Sequence, residues 1–480
     1  MTLHNFIGGA PAPAASGQTF DNPNPATGQR LAKVARSGPA DVDAAAQAAR
    51  RAFEGPWRGW SANQRADLLD RIADAIEARL DELAALESAD QGKPVSLAAT
   101  VDIPRAVANF RFFAGAARHQ QLPSHPMAQA LNYTARRPVG VFGLITPWNL
   151  PLYLLTWKTA PALAMGNTVV AKPSELTPMT AGALAEIIHG CGAPEGVFNV
   201  VHGFGAEAGQ ALVAHPGVKG ISFTGGTVTG QRVAATAAPM FKKLSLELGG
   251  KNATVIFADA DLDRAIATAG AAAFRNQGEI CLCGSRILVE RPVYDRVLMG
   301  LTEYASSLTV GPPDHPDTTI GSLVSLDHRA KVEGYVALAR EEGGTVHCGG
   351  TRPALPAPYD QGAFLSPAVV SGLPISCRTA TEEIFGPVVT VHPFDTEAEA
   401  LEMANGVRYG LSASVWTNNL RRGHRFSEAL DVGMVWVNTW MLRDLRVPFG
   451  GVKDSGVGRE GGDWSLEFYS ENKNICIHLG

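Results

Sequence analysis

Apolar residues recur at helical spacing through the first hundred residues of the chain. In the stretch 63–94, hydrophobic side chains return every three or four positions, as on a helix with one buried face. They are Leu68, Leu69, Ile72, Ile76, Leu80, Leu83 and Leu86. Gly92 and Pro94 follow, and such residues commonly end a helix. An earlier amphipathic run, 40–53, has Asp41 as its expected N-cap. The N-terminal region is therefore predicted to be helical.

From Pro138 onward, short β-rich runs alternate with helical runs. Strands are predicted at 141–146, 167–174, 198–203 and 220–226, with helices from Tyr153, over 179–190, near 206–214 and from Val228. A second segment begins near Asn252, with strands at 254–258, 286–290, 387–394, 412–417 and 433–438. This alternation is typical of parallel sheets with crossover helices. The predicted fold class is α/β, with a Rossmann-type dinucleotide domain, a second α/β domain and a ligand site between them.

Composition narrows the class of protein. A chain of 480 residues is expected to form two or more domains. The net charge of −5 predicts no nucleic-acid surface, and no apolar run is long enough to span a membrane. The first residues lack the basic and apolar regions of a signal peptide. Six cysteines are too few for a disulfide scaffold, so we expect a cytoplasmic enzyme with reduced thiols.

Two runs are candidates for nucleotide binding. FTGGTVTG (223–230) places Gly225 and Gly230 at a strand-to-helix turn, where the backbone can approach a pyrophosphate. A tight turn alone would also call for these glycines. AKPSE (171–175) puts Lys172 and Glu175 after a strand, and a solvated loop is the alternative interpretation. A carboxylate there can accept from both ribose hydroxyls and would repel a 2′-phosphate, which favours NAD over NADP.

The run NQGEICLCGSR (276–286) holds Cys281 and Cys283 one residue apart. This spacing is strained for a disulfide and differs from that of zinc sites and redox pairs, so no metal is expected. One nucleophile with a neighbour, or two buried thiols, are the remaining interpretations. Glu247 in LELGGKN is costly on an apolar strand unless it is used or paired. Asn149 in TPWNLP has an amide that could donate to an oxyanion.

Seven motifs occur in the order found in the NAD(P)-dependent aldehyde dehydrogenases, which the chain resembles over nearly its whole length. They are TPWNLP, APALAMGNTVVAKPSE, FTGGTVTG, LELGGKN, NQGEICLCGSR, EEIFGPV and VPFGGVKDSGVGREGG. The resemblance implies that Cys281 is the nucleophile and Glu247 the base, with Asn149 and the Cys281 N–H as the oxyanion hole. Cys283 then lines the pocket. A small-molecule aldehyde would be oxidised to an acid through a cysteine thiohemiacetal and thioester, with NAD as cofactor.

The resemblance also implies a set of cofactor contacts. Lys172 and Glu175 resemble the contacts to the adenosine ribose, and Glu383 and Phe385 those on the nicotinamide side. The full set is Thr146, Pro147, Trp148, Lys172, Ser174, Glu175, Gly205, Phe223, Thr224, Gly225, Gly226, Leu248, Glu383 and Phe385. Many members have Ser at Gly226, so one pyrophosphate hydrogen bond is missing here or comes from the backbone. Many have Gln at Glu279, a departure expected to matter little for the chemistry.

Three segments narrow the substrate: NQGEICLCGSR, WMLRDLRVPFGG (440–451) and DIPRAVANFRFFAG (102–115). They resemble the 2-aminomuconate and 2-hydroxymuconate 6-semialdehyde dehydrogenases, in which two arginines hold the distal carboxylate. Arg105 and Arg443 match those positions, although Arg446 is an alternative to Arg443 and either could be an ordinary surface residue. The remaining implied substrate residues are Trp157, Leu282 and Phe449. Competing hypotheses are another aldehyde specificity (betaine aldehyde, succinic semialdehyde or aliphatic aldehydes), a coenzyme-A-acylating enzyme, which Glu247 disfavours, and a non-catalytic structural relative.

The resemblance implies three structural parts. Residues 1–116 and 138–248, with part of 447–462, would form the NAD-binding domain, and 249–446 the catalytic domain. Residues 117–137 and 463–480 would form an oligomerisation arm. Its strands, in LNYTARRPVG (131–140) and the C-terminal NKNICIHLG, are expected to pair with another subunit of a homodimer or homotetramer.

Overall fold

The computed structural model describes residues 1–480 and contains two large sheets. The first sheet has eight strands, of which the five central ones are parallel. In spatial order the eight are Gly456–Val457, Lys243–Glu247, Val218–Thr224, Val141–Ile145, Thr168–Lys172, Phe198–Val200, Asn5–Ile7 and Ala10–Ala12. The chain builds outward in both directions from Val141–Ile145. The strand order therefore reverses between that strand and Val218–Thr224, which is where doubly wound sheets bind ligands.

Neighbouring side chains on the first sheet enter different cores. Val141 and Ile145 pack in one core with the helices Pro39–Glu54 and Thr227–Ala237. Phe142, between them, packs in a larger core on the other face. Because both faces are buried, these strands appear in the sequence as continuous apolar runs rather than as an alternating pattern.

The second sheet has seven strands, and only its first edge strand is antiparallel. In spatial order they are Thr345–Cys348, Ala368–Ser371, Val388–Phe394, Arg286–Glu290, Ala253–Ile256, Ser412–Trp416 and Met434–Val437. Helices cover both faces of this sheet as well, with Ile256 in one core and Val255 in the other. Both sheets therefore have the predicted α/β architecture.

Three smaller sheets complete the strands. Ser470–His478 pairs antiparallel with Ala130–Pro138 along its whole length, and Ser124–Pro126 adds a third strand. The C-terminal strand and residues near 131–140, both assigned to the oligomerisation arm, therefore pair with each other within one chain. The other two small sheets consist of Thr2–Leu3, Arg30–Ala35 and Thr19–Pro23, and of Tyr409–Gly410 with Val452–Lys453.

The helices connect these strands or cover their faces. They are Pro39–Glu54, Ala62–Ala78, Leu80–Gln91, Val95–Leu97, Ile103–Arg118, Pro151–Ala164, Met179–Gly190, Gln210–Ala214, Thr227–Ala237, Leu262–Phe274, Tyr294–Ser307, Leu326–Glu341, Arg378–Thr381, Glu397–Asn405, Leu420–Ala429 and Gly462–Phe468. None of them combines the length and apolar character needed to cross a membrane.

Two local predictions in the N-terminal helices need correction. Asp41 is not the N-cap of its helix, because Pro39 starts the helix earlier and Gly38 occupies the cap position. Asp41 is instead the third helical residue, and its carboxylate accepts from the Gly38 N–H at 3.0 Å. The long run after residue 62 divides into two helices at Arg79, whose φ of −110° and ψ of 23° are not helical. Gly92, at φ 96°, ends the second helix as predicted.

Candidate active site

Three of the sequence motifs meet at one edge of the first sheet. Ile145 and Thr224 end two parallel strands, and Glu247 is the last residue of a third. Glu247 lies opposite Thr224, and Phe223 lies opposite Ile145, in the register of the sheet. The segments that follow these strands therefore emerge side by side at the point where the strand order reverses.

The segment before Cys281 has a strained backbone. Asn276, Gln277 and Gly278 have φ values of 53°, 56° and 70°, a region that non-glycine residues rarely adopt. Two such non-glycine residues cost about 1–3 kcal/mol each, so the surrounding contacts must enforce them. A Cβ on Gly278 would lie 2.2 Å from the carbonyl oxygen of Gly386, so glycine is required there. The strained turn thus places the Cys281 segment against the residues around Gly386.

The two neighbouring cysteines have different surroundings. Cys281 is partly exposed and lines a cavity of about 260 Å³, whereas Cys283 is 6% exposed and packs in an apolar cluster. The side-chain amide of Asn252 donates to the carbonyl oxygens of both, at 2.7 and 2.9 Å. Burial raises the pKa of both thiols, that of Cys283 to about 12, and nearby Glu383 raises the Cys281 pKa further. Of the two, only Cys281 faces a cavity that could hold a ligand.

Asn149 lines the same cavity as Cys281. Its side-chain amide donates one hydrogen bond, at 2.8 Å, to the carbonyl oxygen of Glu279, two residues before Cys281. A primary amide has two N–H donors, so the second is free. The main-chain carbonyl oxygen of Asn149 accepts from Lys93 Nζ at 3.0 Å and from the side-chain amide of Asn276 at 3.2 Å. The side-chain amide of Asn149 is therefore held near Cys281, and one of its N–H donors remains free.

Glu247 is a buried carboxyl group without a partner. It is 4% exposed, and neither of its oxygens has a hydrogen-bond partner in the protein. Burial and the nearby Glu460 carboxylate raise the pKa of Glu247 well above its ordinary value. Lys158 partly offsets this effect, although it is itself paired with Glu460 at 2.7 Å. The raised pKa favours the protonated form of Glu247 more than in water, and groups with such shifted pKa values are common where proton transfer occurs.

A second cavity, of about 620 Å³, adjoins the first. Every cofactor residue named from the sequence lines one or both of the two cavities. The residues common to both are Pro147, Trp148, Thr224, Gly225 and Gly226. The volume and the continuous lining suit an extended ligand whose far end reaches Cys281.

The chemistry of the second cavity fits a dinucleotide. The helix Thr227–Ala237 begins in its wall, and no side chain caps its first N–H groups, as is favourable for a phosphate. A Cβ on Gly226 would meet no atom within 4 Å, so the space above this turn is open. Lys172 pairs with Glu175 at 2.8 Å. Burial opposes the charge of Glu175, but Lys172 and backbone N–H groups hold its pKa below the usual value, so it is ionised.

The EEIFGP segment closes the cavity of Cys281. Glu383 accepts from the Gly250 N–H at 2.9 Å, and Phe385 adopts a φ of 61°. The Phe385 ring packs edge-on against Trp148, with 5.2 Å between ring centroids. Both aromatic residues line the cavity, so the part of the wall next to the Glu383 carboxyl group is apolar and its shape is fixed by packing.

The guanidinium of Arg443 is stacked between two aromatic rings. Its central carbon lies 4.5 Å from the Trp157 ring centroid and 3.9 Å from that of Phe449. Nη1 donates to the Tyr153 hydroxyl at 3.1 Å, whereas Nε and Nη2 are buried without a partner. The Arg443 charge also lowers the pKa of Cys281. Two unused, buried donors thus lie within electrostatic reach of the cysteine.

The other arginines of the predicted substrate site differ in their surroundings. Arg105 lies over the ring of Tyr153, 5.8 Å from its centroid, and so faces the residue that Arg443 contacts. Arg446 is exposed and paired with Asp444 at 2.6 Å, which leaves Arg443 as the arginine of this cluster. The five predicted substrate residues line neither of the two cavities; Leu282 packs with Phe449 in the apolar cluster around Cys281.

Several residues of the site were not identified from the sequence. Tyr153 is the main one, and its spacing could have revealed it, because Tyr153 and Trp157 are four apart on one helix face. Asn252, which holds the cysteine segment, gives no such signal, since its partners are about thirty positions away in the chain. The Lys158–Glu460 pair beside Glu247 spans an even longer separation of 302 positions.

Comparison with known proteins agrees with this geometry. The sequence model described as the Aldehyde dehydrogenase family matches residues 12–475. A 2-hydroxymuconic semialdehyde dehydrogenase from Pseudomonas sp. (strain CF600) is 50% identical, with 99% of each chain covered. A 2-aminomuconic semialdehyde dehydrogenase from Danio rerio is 49% identical, covering 99% of this chain and 98% of that protein. The NAD+ complex structure of an aldehyde dehydrogenase from Bacillus cereus has a TM-score of 0.97 at 41% identity, covering 100% of this chain and 97% of that one.

Proposed function

The chain belongs to the aldehyde dehydrogenase family, and from that premise we propose that it oxidises a carboxylate-bearing semialdehyde with NAD. The substrates that fit are 2-hydroxymuconate and 2-aminomuconate 6-semialdehyde, after which the two similar enzymes are named. The observation that carries this proposal is that two nitrogen atoms of Arg443, Nε and Nη2, are buried and have no hydrogen-bond partner.

Buried guanidinium N–H groups without an acceptor, such as those on Nε and Nη2, are unfavourable, because these donors have lost water and gained nothing in return. A carboxylate is the group that matches its planar pair of N–H donors. Trp157 and Phe449 pack against the Arg443 guanidinium and the Tyr153 hydroxyl accepts from its Nη1, so the guanidinium is held in place before any ligand binds. Arg105 would supply a second positive charge near Tyr153. This arrangement supports a substrate with a negative charge distant from its aldehyde.

We propose that Cys281 is the nucleophile. Its thiolate adds to the aldehyde carbonyl to give a thiohemiacetal, and the free N–H of Asn149 donates to the alkoxide. NAD supplies the hydride acceptor, which leaves a thioester on Cys281. Glu247, once ionised, takes a proton from water, which attacks the thioester and releases the acid and the thiolate. Cys283 is buried in the apolar cluster and, contrary to the expectation from the sequence, lines neither cavity, so it takes no part.

We propose that the second cavity holds the cofactor. Lys172 and Glu175 would bind the adenosine ribose, and the uncapped helix after Gly226 the pyrophosphate, where backbone N–H groups would replace the missing Ser hydroxyl. Glu383 and Phe385 would contact the nicotinamide end. The ionised Glu175 would repel a 2′-phosphate, which favours NAD over NADP.

We further propose that the chain has separate NAD-binding and catalytic domains, assembles into a homodimer or homotetramer and is cytoplasmic. The first sheet falls within 1–248 plus residues 456–457, and the second within 253–437, as expected for separate NAD-binding and catalytic domains. The strand Ser470–His478 is an edge of its small sheet, which supports pairing with another subunit in a homodimer or homotetramer. All six cysteines are free thiols, as a cytoplasmic protein would have.

A comparison of two aldehydes of equal chain length tests the proposed substrate. The kcat/KM with NAD would be measured for 2-hydroxymuconate 6-semialdehyde and for hexanal. We expect the semialdehyde to be preferred by about 10²- to 10⁴-fold, because hexanal leaves the donors of Arg443 unpaired. Equal values, or a preference for hexanal, would contradict the carboxylate proposal and support an aliphatic specificity.

A further inference from the structure

We propose that Lys93 is a positioning residue for aldehyde oxidation, because its buried ammonium group holds the main chain of Asn149 in place. The inference rests on the proposed role of Asn149 in stabilising the oxyanion. It concerns a buried cluster of three charged residues, Glu87, Lys93 and Asp102, which lies outside both cavities.

The local fold brings Lys93 into the interior. The helix Leu80–Gln91 ends at Gly92, where the chain turns with φ 96°. A Cβ on Gly92 would lie 2.3 Å from the Ser322 hydroxyl oxygen, so only glycine allows this turn. Ser88 then donates to the Lys93 carbonyl oxygen at 2.6 Å. The result is a lysine side chain with 0% exposure.

Two acidic residues, Glu87 and Asp102, surround the buried ammonium group of Lys93. Lys93 Nζ lies 2.5 Å from Asp102 and 3.6 Å from Glu87, and both carboxylates are also buried. An unpaired ammonium would be very costly here, whereas Asp102 accepts one hydrogen bond from Lys93 Nζ and the Glu87 carboxyl group lies within ion-pair distance. A second hydrogen bond runs from Lys93 Nζ to the main-chain carbonyl oxygen of Asn149, at 3.0 Å. The two acidic side chains thus orient the ammonium group, which donates one hydrogen bond to the main chain of Asn149.

The same cluster holds both ends of the turn that carries Asn149. While Lys93 binds the Asn149 carbonyl, Glu87 accepts from the Leu152 N–H at 3.1 Å. This second contact lies in the first turn of the helix Pro151–Ala164. Two hydrogen bonds therefore fix a four-residue segment, and the one from the Lys93 ammonium is charge-assisted and so stronger than a neutral bond.

The Asn149 side chain depends on this anchoring of its main chain. Its amide oxygen has no partner, and its nitrogen has one acceptor, the Glu279 carbonyl oxygen. A shift of the Asn149 backbone would carry the amide with it. A misplacement of about 1 Å at a reacting centre can cost about 10²-fold in rate. Lys93 would therefore affect the chemical step although it touches no reactant.

A double-mutant cycle separates this role from a general contribution to stability. The variants are Lys93→Met, Asn149→Ala and the combination, and the readout is the single-turnover rate of NADH formation from hexanal. We expect Asn149→Ala to lose about 10²- to 10³-fold, and Lys93→Met about 10- to 100-fold. The combination should be no slower than Asn149→Ala alone, with unchanged NAD affinity. A merely structural lysine would instead lower the rate by a similar factor in either background.

Lys242→Met is the matched control. Lys242 is also buried, and it donates to the carbonyl oxygens of Val213 and His215 at 2.6 and 2.7 Å. It precedes the strand Lys243–Glu247, at the end opposite Glu247. We expect the control to lower the thermal stability but to change the single-turnover rate by less than about twofold.

The possible outcomes are distinguishable. A normal rate for Asn149→Ala would contradict the proposed function itself. A slow Asn149→Ala together with a normal Lys93→Met, or with losses that multiply in the combination, would overturn the Lys93 inference alone. If Lys93→Met does not fold, Asp102→Asn carries the same test, because it removes the negative charge that lies 2.5 Å from the ammonium and retains the lysine. Its smaller loss should likewise vanish in the Asn149→Ala background, and persistence there would overturn the inference.

Discussion

The replacement of Arg443 by alanine should change which aldehyde the enzyme prefers. Arg443 has two buried N–H donors without a partner, Nε and Nη2, and these would bind the distal carboxylate. A hydrogen bond to a charged group contributes about 1.5–3 kcal/mol. Taking about 3 kcal/mol for the bidentate pair, the preference for the carboxylated substrate should fall by about 150-fold.

The assay must separate loss of carboxylate binding from loss of chemistry. The Arg443 charge lowers the pKa of both Cys281 and Glu247, so its removal should slow all aldehydes to some extent. The readout is therefore the ratio of kcat/KM for 2-hydroxymuconate 6-semialdehyde to that for hexanal, measured in the same preparation. A common loss of chemistry cancels in this ratio, whereas a lost carboxylate contact does not.

Arg446→Ala is the matched control for this experiment. Arg446 is three positions away, but it is exposed and paired with Asp444. We expect the control to leave the ratio within about twofold of the wild-type value, as is usual for an exposed ion pair. An equal loss on both substrates in Arg443→Ala, or a change of ratio in Arg446→Ala instead, would refute the assignment of the carboxylate site.

Three further predictions follow from the geometry of the site. Cys281→Ala should abolish NADH formation, while Cys283→Ser retains most turnover; the reverse pattern in a steady-state assay would contradict the choice of nucleophile. Because burial raises the pKa of Glu247, its ionised form accumulates at higher pH than that of an ordinary carboxyl group, so the wild-type kcat should rise with pH over that higher range. Glu247→Gln should retain a rapid first turnover but lose about 10²- to 10⁴-fold in steady-state turnover and lose that rise, and a stopped-flow trace without a burst would argue against the role of Glu247. Glu175→Ala should reduce the preference for NAD over NADP by about tenfold or more, as measured by the two kcat/KM values, and an unchanged preference would show that Glu175 does not discriminate.

Much of the fold was predictable because buried parallel strands produce short apolar runs between helical patterns. The strand Arg286–Glu290 and the helix Met179–Gly190 have the bounds that the sequence predicts. The helix break at Arg79 was not predictable in this way, since Leu80 continues the helical spacing of apolar residues across it. The cap at Asp41 was misplaced because Pro39 is itself compatible with the first helical turn.

In the active site, too, residues within short local motifs were predictable, whereas contacts between distant parts of the chain were not. Lys172 and Gly225 belong to short motifs that follow a strand, so the local sequence indicates them, and both line the second cavity. The contact between Arg443 and Tyr153 joins residues 290 positions apart, and nothing in either local sequence specifies the other. The positive φ of Asn276 is likewise enforced by tertiary contacts, because an isolated chain would avoid it.

Identifying the acyl group on the enzyme tests most directly whether Cys281 is the nucleophile and whether the substrate carries a carboxylate. Glu247→Gln, mixed with NAD and 2-hydroxymuconate 6-semialdehyde, should stop at the thioester, since the proposed base for its hydrolysis is absent. Mass spectrometry of the intact protein and of its peptides should then show the carboxylated acyl group on Cys281 and not on Cys283. An adduct on Cys283, or NADH formation without any covalent adduct, would contradict the central claim.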